Sequence, residues 1–168
     1  MRKIDITKLS SRCHVQTLTD SDLPLVQALC RQNPQFYQYC AARPSIAQLR
    51  RDMALTPPGK DRSDKYYVGF FDKETLVAVM DLIDGYPDKT TAYIGFFMLA
   101  KDRQGRGLGS ALIAEVCGYL KRLGFQKVQL GIDKDNPQSN HFWKKNGFVV
   151  RREVPREGGS ILAAEHIL

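Results

Sequence analysis

The sequence predicts an α+β fold: a single mixed β-sheet flanked by helices. Three observations carry this. Apolar residues recur at helical spacing in two segments before residue 56, and after residue 64 they give way to short runs rich in β-branched and aromatic residues. Three of those runs are joined by turns too short for a crossover helix, so they pair antiparallel. A glycine-rich turn and a long helix then lead to a further run, which makes one βαβ unit and one parallel pair.

Taken in order, "HVQTLT" (14–19) alternates as a strand, and Asp20 or Ser21 caps a helix that runs to about residue 32. "PSIAQLRRDMAL" (44–55) is a second helix, led by Pro44 with Ser45 as its cap. "TPPGKDRSD" (56–64) is a polar, proline-rich loop. "KYYVGFF" (65–71), "LVAVMDLI" (76–83) and "TAYIGFFML" (91–99) form a meander across the turns "DKET" and "DGYPDKT". The long helix follows the glycines and ends near Leu123, stopped by Gly124. Its apolar residues Leu108, Leu112, Val116, Leu120 and Leu123 make one core-facing stripe. "KVQLGI" (127–132) is a strand. "NPQSNHFWKKN" (136–146) is a short helix with Asn136 as cap and Pro137 in its first turn. "FVVRREV" and "SILAAEHI" close the chain as a hairpin across "PREGG". The expected order is β-α-α-β-β-β-α-β-α-β-β, in one domain over residues 1–168, with residues 1–12 as a basic N-terminal extension.

Composition narrows the function classes. The chain has 168 residues, 43% hydrophobic and 26% charged, which suits one globular core. Its 25 Lys and Arg against 18 Asp and Glu give a net charge of +7. The basic residues are spread among acidic ones rather than gathered on a face with stacking aromatics, so a nucleic-acid partner is not expected. No apolar run is long enough to cross a bilayer and no secretory signal is visible, so neither a membrane partner nor export is expected. The four cysteines, Cys13, Cys30, Cys40 and Cys117, have no metal-ligand or framework spacing. That pattern predicts reduced thiols, no metal and a cytoplasmic location.

The residues that carry chemistry begin at "KDRQGRGLGSALIAEV" (101–116). A helix N-terminus leaves backbone N–H groups unpaired and carries partial positive charge, and glycines let an anion approach them. Three phosphate cradles have this form. A Walker-type loop needs Gly-Lys-Ser/Thr, which is absent from the chain. A dinucleotide fingerprint is nearly met by Gly105, Gly107 and Ser110, with Asp133 ending the next strand, but that fold requires successive parallel βαβ units. The third is Q/R-x-x-G-x-G/A, matched by Gln104, Gly107 and Gly109.

In that hexapeptide, and in the "NPQSNHFWKKNGF" segment after the next strand, the chain resembles the GNAT superfamily of N-acetyltransferases. The resemblance covers about residues 65–154. It implies the GNAT fold and a pyrophosphate of acetyl-CoA held by the turn that includes Gln104, Gly105, Arg106, Gly107, Leu108, Gly109 and Ser110. Arg103 and Arg106 add charge-assisted contacts to phosphate. It implies pantetheine and acetyl contacts along the backbone of Phe97, Met98 and Leu99, with Asn136, Ser139 and Trp143 on the other side. Acetyl-CoA is then the acyl donor and a primary amine of a small molecule or peptide the acceptor, attacked directly in a ternary complex by a monomer or homodimer. The alternative is a non-catalytic acyl-CoA-binding sensor or interaction module.

The resemblance leaves the acid and base open. Some relatives have a glutamate where this chain has Tyr93, and an unperturbed tyrosine is a poor base at neutral pH. Asp81 and Asp84 on the neighbouring strand are alternatives. They lie three residues apart, so they face opposite ways, and a solvated strand end is the competing reading for either. Together with Asp88 they favour a cationic amine. Tyr93 and Asp81 stand as the catalytic candidates. Many relatives place an acidic tyrosine where this chain has Trp143, whose indole N–H donates a hydrogen bond but no proton, so Trp143 is expected to pack. His141, in the same segment, is expected to be an exposed helical residue.

Overall fold

The structure, a computed structural model, describes residues 2–39 and 44–168, so Cys40 lies outside the described residues. Strand β1 is His14–Thr17, followed by helices α1 (Leu23–Arg31), α2 (Pro34–Tyr37) and α3 (Ile46–Ala54). Strands β2 (Lys65–Asp72), β3 (Thr75–Asp84) and β4 (Thr91–Leu99) form the meander. Helix α4 is Leu108–Arg122, β5 is Lys127–Asp133 and α5 is Pro137–Lys145. The closing hairpin pairs β6 (Val149–Arg156) with β7 (Gly159–Ile167).

Local chemistry explains most boundaries. Ser45 accepts from the Gln48 N–H at the start of α3, and Asn136 accepts from the Ser139 N–H at the start of α5. Gly124, at φ +93°, follows α4 in the left-handed conformation that ends helices. The first helix starts later than expected. A capping box between Thr19 and Asp22 closes a short 3-10 turn, and α1 begins only at Leu23, with Pro24 in its first turn. Helix α2, started by Pro34, is a single turn that periodicity does not resolve. Pro155 and Arg156 lie in β6 rather than in the hairpin turn, since an edge strand tolerates proline.

The seven strands form one sheet in the order β1-β2-β3-β4-β5-β7-β6. Every pair is antiparallel except β4 and β5. Those two pair only from Thr91–Lys127 to Ile94–Leu130, although both strands continue beyond. The break coincides with a bulge: Leu82 faces Ile94 and Asp81 faces Phe96, so Gly95 is an extra residue in β4. The sheet therefore parts in its middle.

One sheet face packs Phe70, Met80 and Leu82 against Leu112, Val116 and Leu120 of α4, and the other packs Val79 and Met98 against α1 and α3. The first core also takes in the start of the chain. Ile4 and Leu9 are 2% and 0% exposed, each contributing about 2 kcal/mol by apolar burial. Arg2 lies 3.5 Å over the Phe125 ring and pairs with Asp84 at 2.9 Å. Within residues 2–12 the Ile4 and Leu9 side chains are buried while Lys3, Asp5, Lys8 and Arg12 stay exposed, so the charged neighbours mask a buried Ile and Leu in the sequence.

Candidate active site

A cleft of about 470 Å³ opens where β4 and β5 part. Its walls are residues 94–99 of β4, residues 130–133 of β5, the glycine turn before α4, and one side of α5. Beyond Ile94 the edge of β4 has no strand beside it on the β5 side, so its backbone groups face the cleft.

The glycines of the turn do different work. Gly105 and Gly107 have φ of +78° and +80°, and a Cβ on either would meet no protein atom within 4 Å. They line the cleft, so the left-handed turn and the open space beside it explain them, and protein packing does not. Gly109 is helical. A Cβ there would stand 3.0 Å from Phe142 Cε1, so this glycine allows α4 and α5 to pack closely. The backbone N–H groups of residues 105–110 find no acceptor among the described residues, and the first paired N–H of α4 is that of Ala111, on Gly107 O at 3.0 Å. A row of free N–H groups at a helix start, beside glycines that leave space, suits a pyrophosphate.

Most residues expected at the cofactor site line this cleft: Phe97, Met98, Leu99, Gln104, Gly105, Gly107, Gly109, Ser110, Ser139 and Trp143. Arg106 is exposed on the turn outside the lining, and Leu108 packs on the core. Asn136 is 2% exposed and caps α5. Arg103 is held by Asp72 at 2.9 Å. Trp143 packs at edge-on angles against Phe97, Phe142 and Phe148.

The acidic candidates separate. Asp84 faces the α4 side, paired with Arg2. Asp88 accepts from Thr90 and Thr91 in its own turn. Asp81 faces the α1–α3 side, where its Oδ2 lies 2.9 Å from Lys65 Nζ. Lys65, only 5% exposed at its side chain, also donates to the carbonyls of Asp52 and Leu55. Asp81 Oδ1 is buried with no hydrogen-bond partner among the described residues. Burial pushes the Asp81 carboxyl above its ordinary value against the pull of Lys65. Burial also raises the Tyr93 phenol, helped by Tyr86 and Asp81, so Tyr93 stays protonated at physiological pH. Neither Asp81 nor Tyr93 lines the cleft directly. Gly95, which does, adjoins Asp81: a Cβ there would stand 2.9 Å from Asp81 Oδ2.

Sequence reasoning passed over several lining residues: Asn33, Phe36, Gly95, Gly131, Asp133 in this role, and Arg156. A signal existed for two of them, because glycine inside a strand marks a bulge or a close approach. A Cβ on Gly131 would strike Ile161 Cγ2 at 2.8 Å and lie 3.6 Å from Tyr93 Oη. Arg156 bonds Asp133 and the Tyr39 carbonyl, tying β6 to the ends of β5 and α2 at the cleft mouth. No spacing rule joins residues so far apart.

Comparison with known proteins agrees with this geometry. Residues 23–148 match the Acetyltransferase (GNAT) family. A ribosomal-protein-serine acetyltransferase of Escherichia coli (strain K12) is 27% identical over 149 residues, 85% of this chain and 82% of that protein. The crystal structure of an acetyltransferase from Thermus thermophilus superposes with a TM-score of 0.73 at 22% identity, covering 92% of this chain and 96% of its own. A ribosomal L7/L12 alpha-N-protein acetyltransferase in complex with coenzyme A superposes with a TM-score of 0.70 at 16% identity, covering 98% of each chain.

Proposed function

This chain belongs to the GNAT acetyltransferase family, and we propose that it transfers the acetyl group of acetyl-CoA to an amine by direct attack in a ternary complex. One observation carries the reading: the open glycine turn and the unpaired edge of β4 line the same cleft. Residues 105–110 would hold the pyrophosphate through their N–H groups, and the backbone of residues 97–99 would hold the pantetheine arm. Bound acetyl-CoA supplies a thioester whose carbonyl carbon takes the amine and whose thiolate leaves. Among the described residues no cysteine lines the cleft to form an acyl-enzyme; Cys30 and Cys117 are buried, and burial pushes the Cys117 thiol up to about 12.

The proton lost by the amine goes to Asp81 through a water beside Gly95. The raised pKa of Asp81 brings it nearer neutrality, where a general base is most effective. Tyr93, on the same face, serves as a neutral hydrogen-bond donor that orients that water.

We infer further that the acceptor is the α-amine of a protein or peptide rather than a polyamine. The charged cleft residues are Asp133, Lys145 and Arg156, with His141 beside them, and the single acid is bound to Arg156. A polycation would meet no free carboxylate in that lining. The relative that acetylates a ribosomal-protein serine points the same way.

The test is an assay of thiol release and acetylated product with acetyl-CoA and three acceptor types: peptides with a free N-terminus, the same peptides blocked, and spermidine. Turnover with free-amine peptides alone is expected. Binding of CoA with no thiol release for any amine would instead support the sensor reading.

A further inference from the structure

Asn33 stands between α1 and α2, in the cap position before Pro34, yet its side chain makes no capping hydrogen bond. An asparagine there would ordinarily satisfy a helix N–H. Here it is 9% exposed and turned across the molecule. Its Nδ2 donates to the carbonyls of Leu29 at 3.1 Å and Leu99 at 3.2 Å, and its Oδ1 accepts from Gln104 Nε2 at 2.7 Å. Gln104 Nε2 also donates to the Leu99 carbonyl at 2.9 Å, and Gln104 Oε1 accepts from Gln138 Nε2 of α5 at 3.3 Å. The neighbouring Gln32 accepts from the Lys101 N–H at 3.1 Å. The chain Asn33–Gln104–Gln138 therefore joins the end of α1 to the residue that opens the glycine turn, and that residue to α5.

We propose that Asn33 is a positioning residue. Through Gln104 it holds the glycine turn ready for phosphate, and so couples α1, packed on the Val79 and Met98 face of the sheet, to the cofactor side. This rests on the reading of the turn as the acetyl-CoA site. The physical argument is the cost of the alternatives. Gly105 and Gly107 have no side chains to fix the turn, and both are in left-handed conformations with open space around them. Gln104 directly precedes Gly105 and is tied to the body of the protein, with both Nε2 hydrogens used, one on Asn33 and one on Leu99. Without Asn33 the Leu99 carbonyl loses a donor, and Gln104 loses the acceptor that fixes its orientation. The amide of Asn33 is suited to this because it donates twice and accepts once in a buried place, which neither Asp nor Ser reproduces.

The test is a double-mutant cycle read as CoA affinity by titration calorimetry, using the parent, Asn33→Ala, Gln104→Ala and the double variant. Asn33→Ala should weaken CoA binding by about five- to tenfold in the parent, and by less than about twofold in the Gln104→Ala background. Equal effects in both backgrounds, or no effect in either, would overturn the proposal while leaving the acetyl-CoA site intact. A parent chain that fails to bind CoA would overturn both. Hydrogen exchange on the parent chain removes any dependence on how Asn33→Ala folds. CoA should slow exchange by about tenfold at the α1 amides of residues 28–31, which do not line the cleft, and unchanged exchange there sinks the coupling.

Discussion

The backbone of Gly95 passes so close to Asp81 that a Cβ at residue 95 would stand 2.9 Å from Asp81 Oδ2. The glycine that the bulge adds to β4 therefore leaves room for a buried carboxylate against a residue of the cleft wall. If Asp81 receives the proton, Asp81→Asn should lower kcat by about a hundredfold while the KM for acetyl-CoA changes little. The parent kcat should rise with pH along a limb lying above the ordinary carboxylate range, because the base must be ionised and its pKa is raised by burial. Asp81→Asn should lack that limb. A variant retaining both the limb and the rate would remove Asp81 from the mechanism.

Two glycines with the same backbone strain separate cofactor binding from folding. Gly107 and Gly124 have φ of +80° and +93°, and a Cβ on either meets no protein atom within 4 Å. Valine at either position should cost about 1–2 kcal/mol of stability through left-handed strain. Only Gly107→Val also places a branched side chain beside the free N–H groups, so it alone should weaken CoA binding by more than about tenfold. Gly124→Val should bind within about twofold of the parent. Calorimetry beside thermal unfolding reads both quantities.

Trp143 is 8% exposed, and its ring contacts with Phe97, Phe142 and Phe148 make it the hub between α5 and the sheet. Trp143→Phe should destabilise the chain by about 1–2 kcal/mol and keep kcat within about tenfold, because the indole N–H has no proton to give. The CoA thiol, with a pKa near 8.5 like a free cysteine, leaves without strong acid help. A hundredfold loss of kcat with acetyl-CoA affinity intact would mean that the N–H acts in the transition state.

Glu165 on β7 is lowered below its ordinary 4.5, first by the hydrogen bond from Gln129, then by Arg151 and Lys127. A depressed folded pKa means that its stabilising effect is complete above the unfolded pKa and is lost as pH falls through the folded one. Glu165→Gln should therefore melt lower than the parent at pH 7, with the gap closing below about pH 4. Asp81 acts with the opposite sign: its raised pKa favours the fold below the ordinary carboxylate range, and that contribution is lost as pH rises through the folded value. Thermal unfolding of the parent, Glu165→Gln and Asp81→Asn across pH 3 to 7 separates the two.

The sequence by itself determined the α+β class, the order of the main elements, the glycine turn, and the caps at Ser45 and Asn136. Each of these rests on chemistry within a few residues: apolar period, a left-handed glycine, a side-chain oxygen beside a free N–H. Tertiary structure decided the rest. Glycines at 105, 107 and 109 look alike in sequence, yet two leave open space beside the cleft and the third makes room for Phe142, which depends on where α5 lands. Asp81 and Asp84 are equivalent as strand acids until the sheet faces are filled, after which one pairs with Arg2 and the other is buried with Lys65. Ile4 and Leu9 enter the core although charged neighbours surround them in the chain. Asn33, Gly95, Asp133 and Arg156 meet around one cleft from four separate elements or their ends. Such meetings come from long-range packing, whose free energy is shared across the whole core, and no local pattern encodes it.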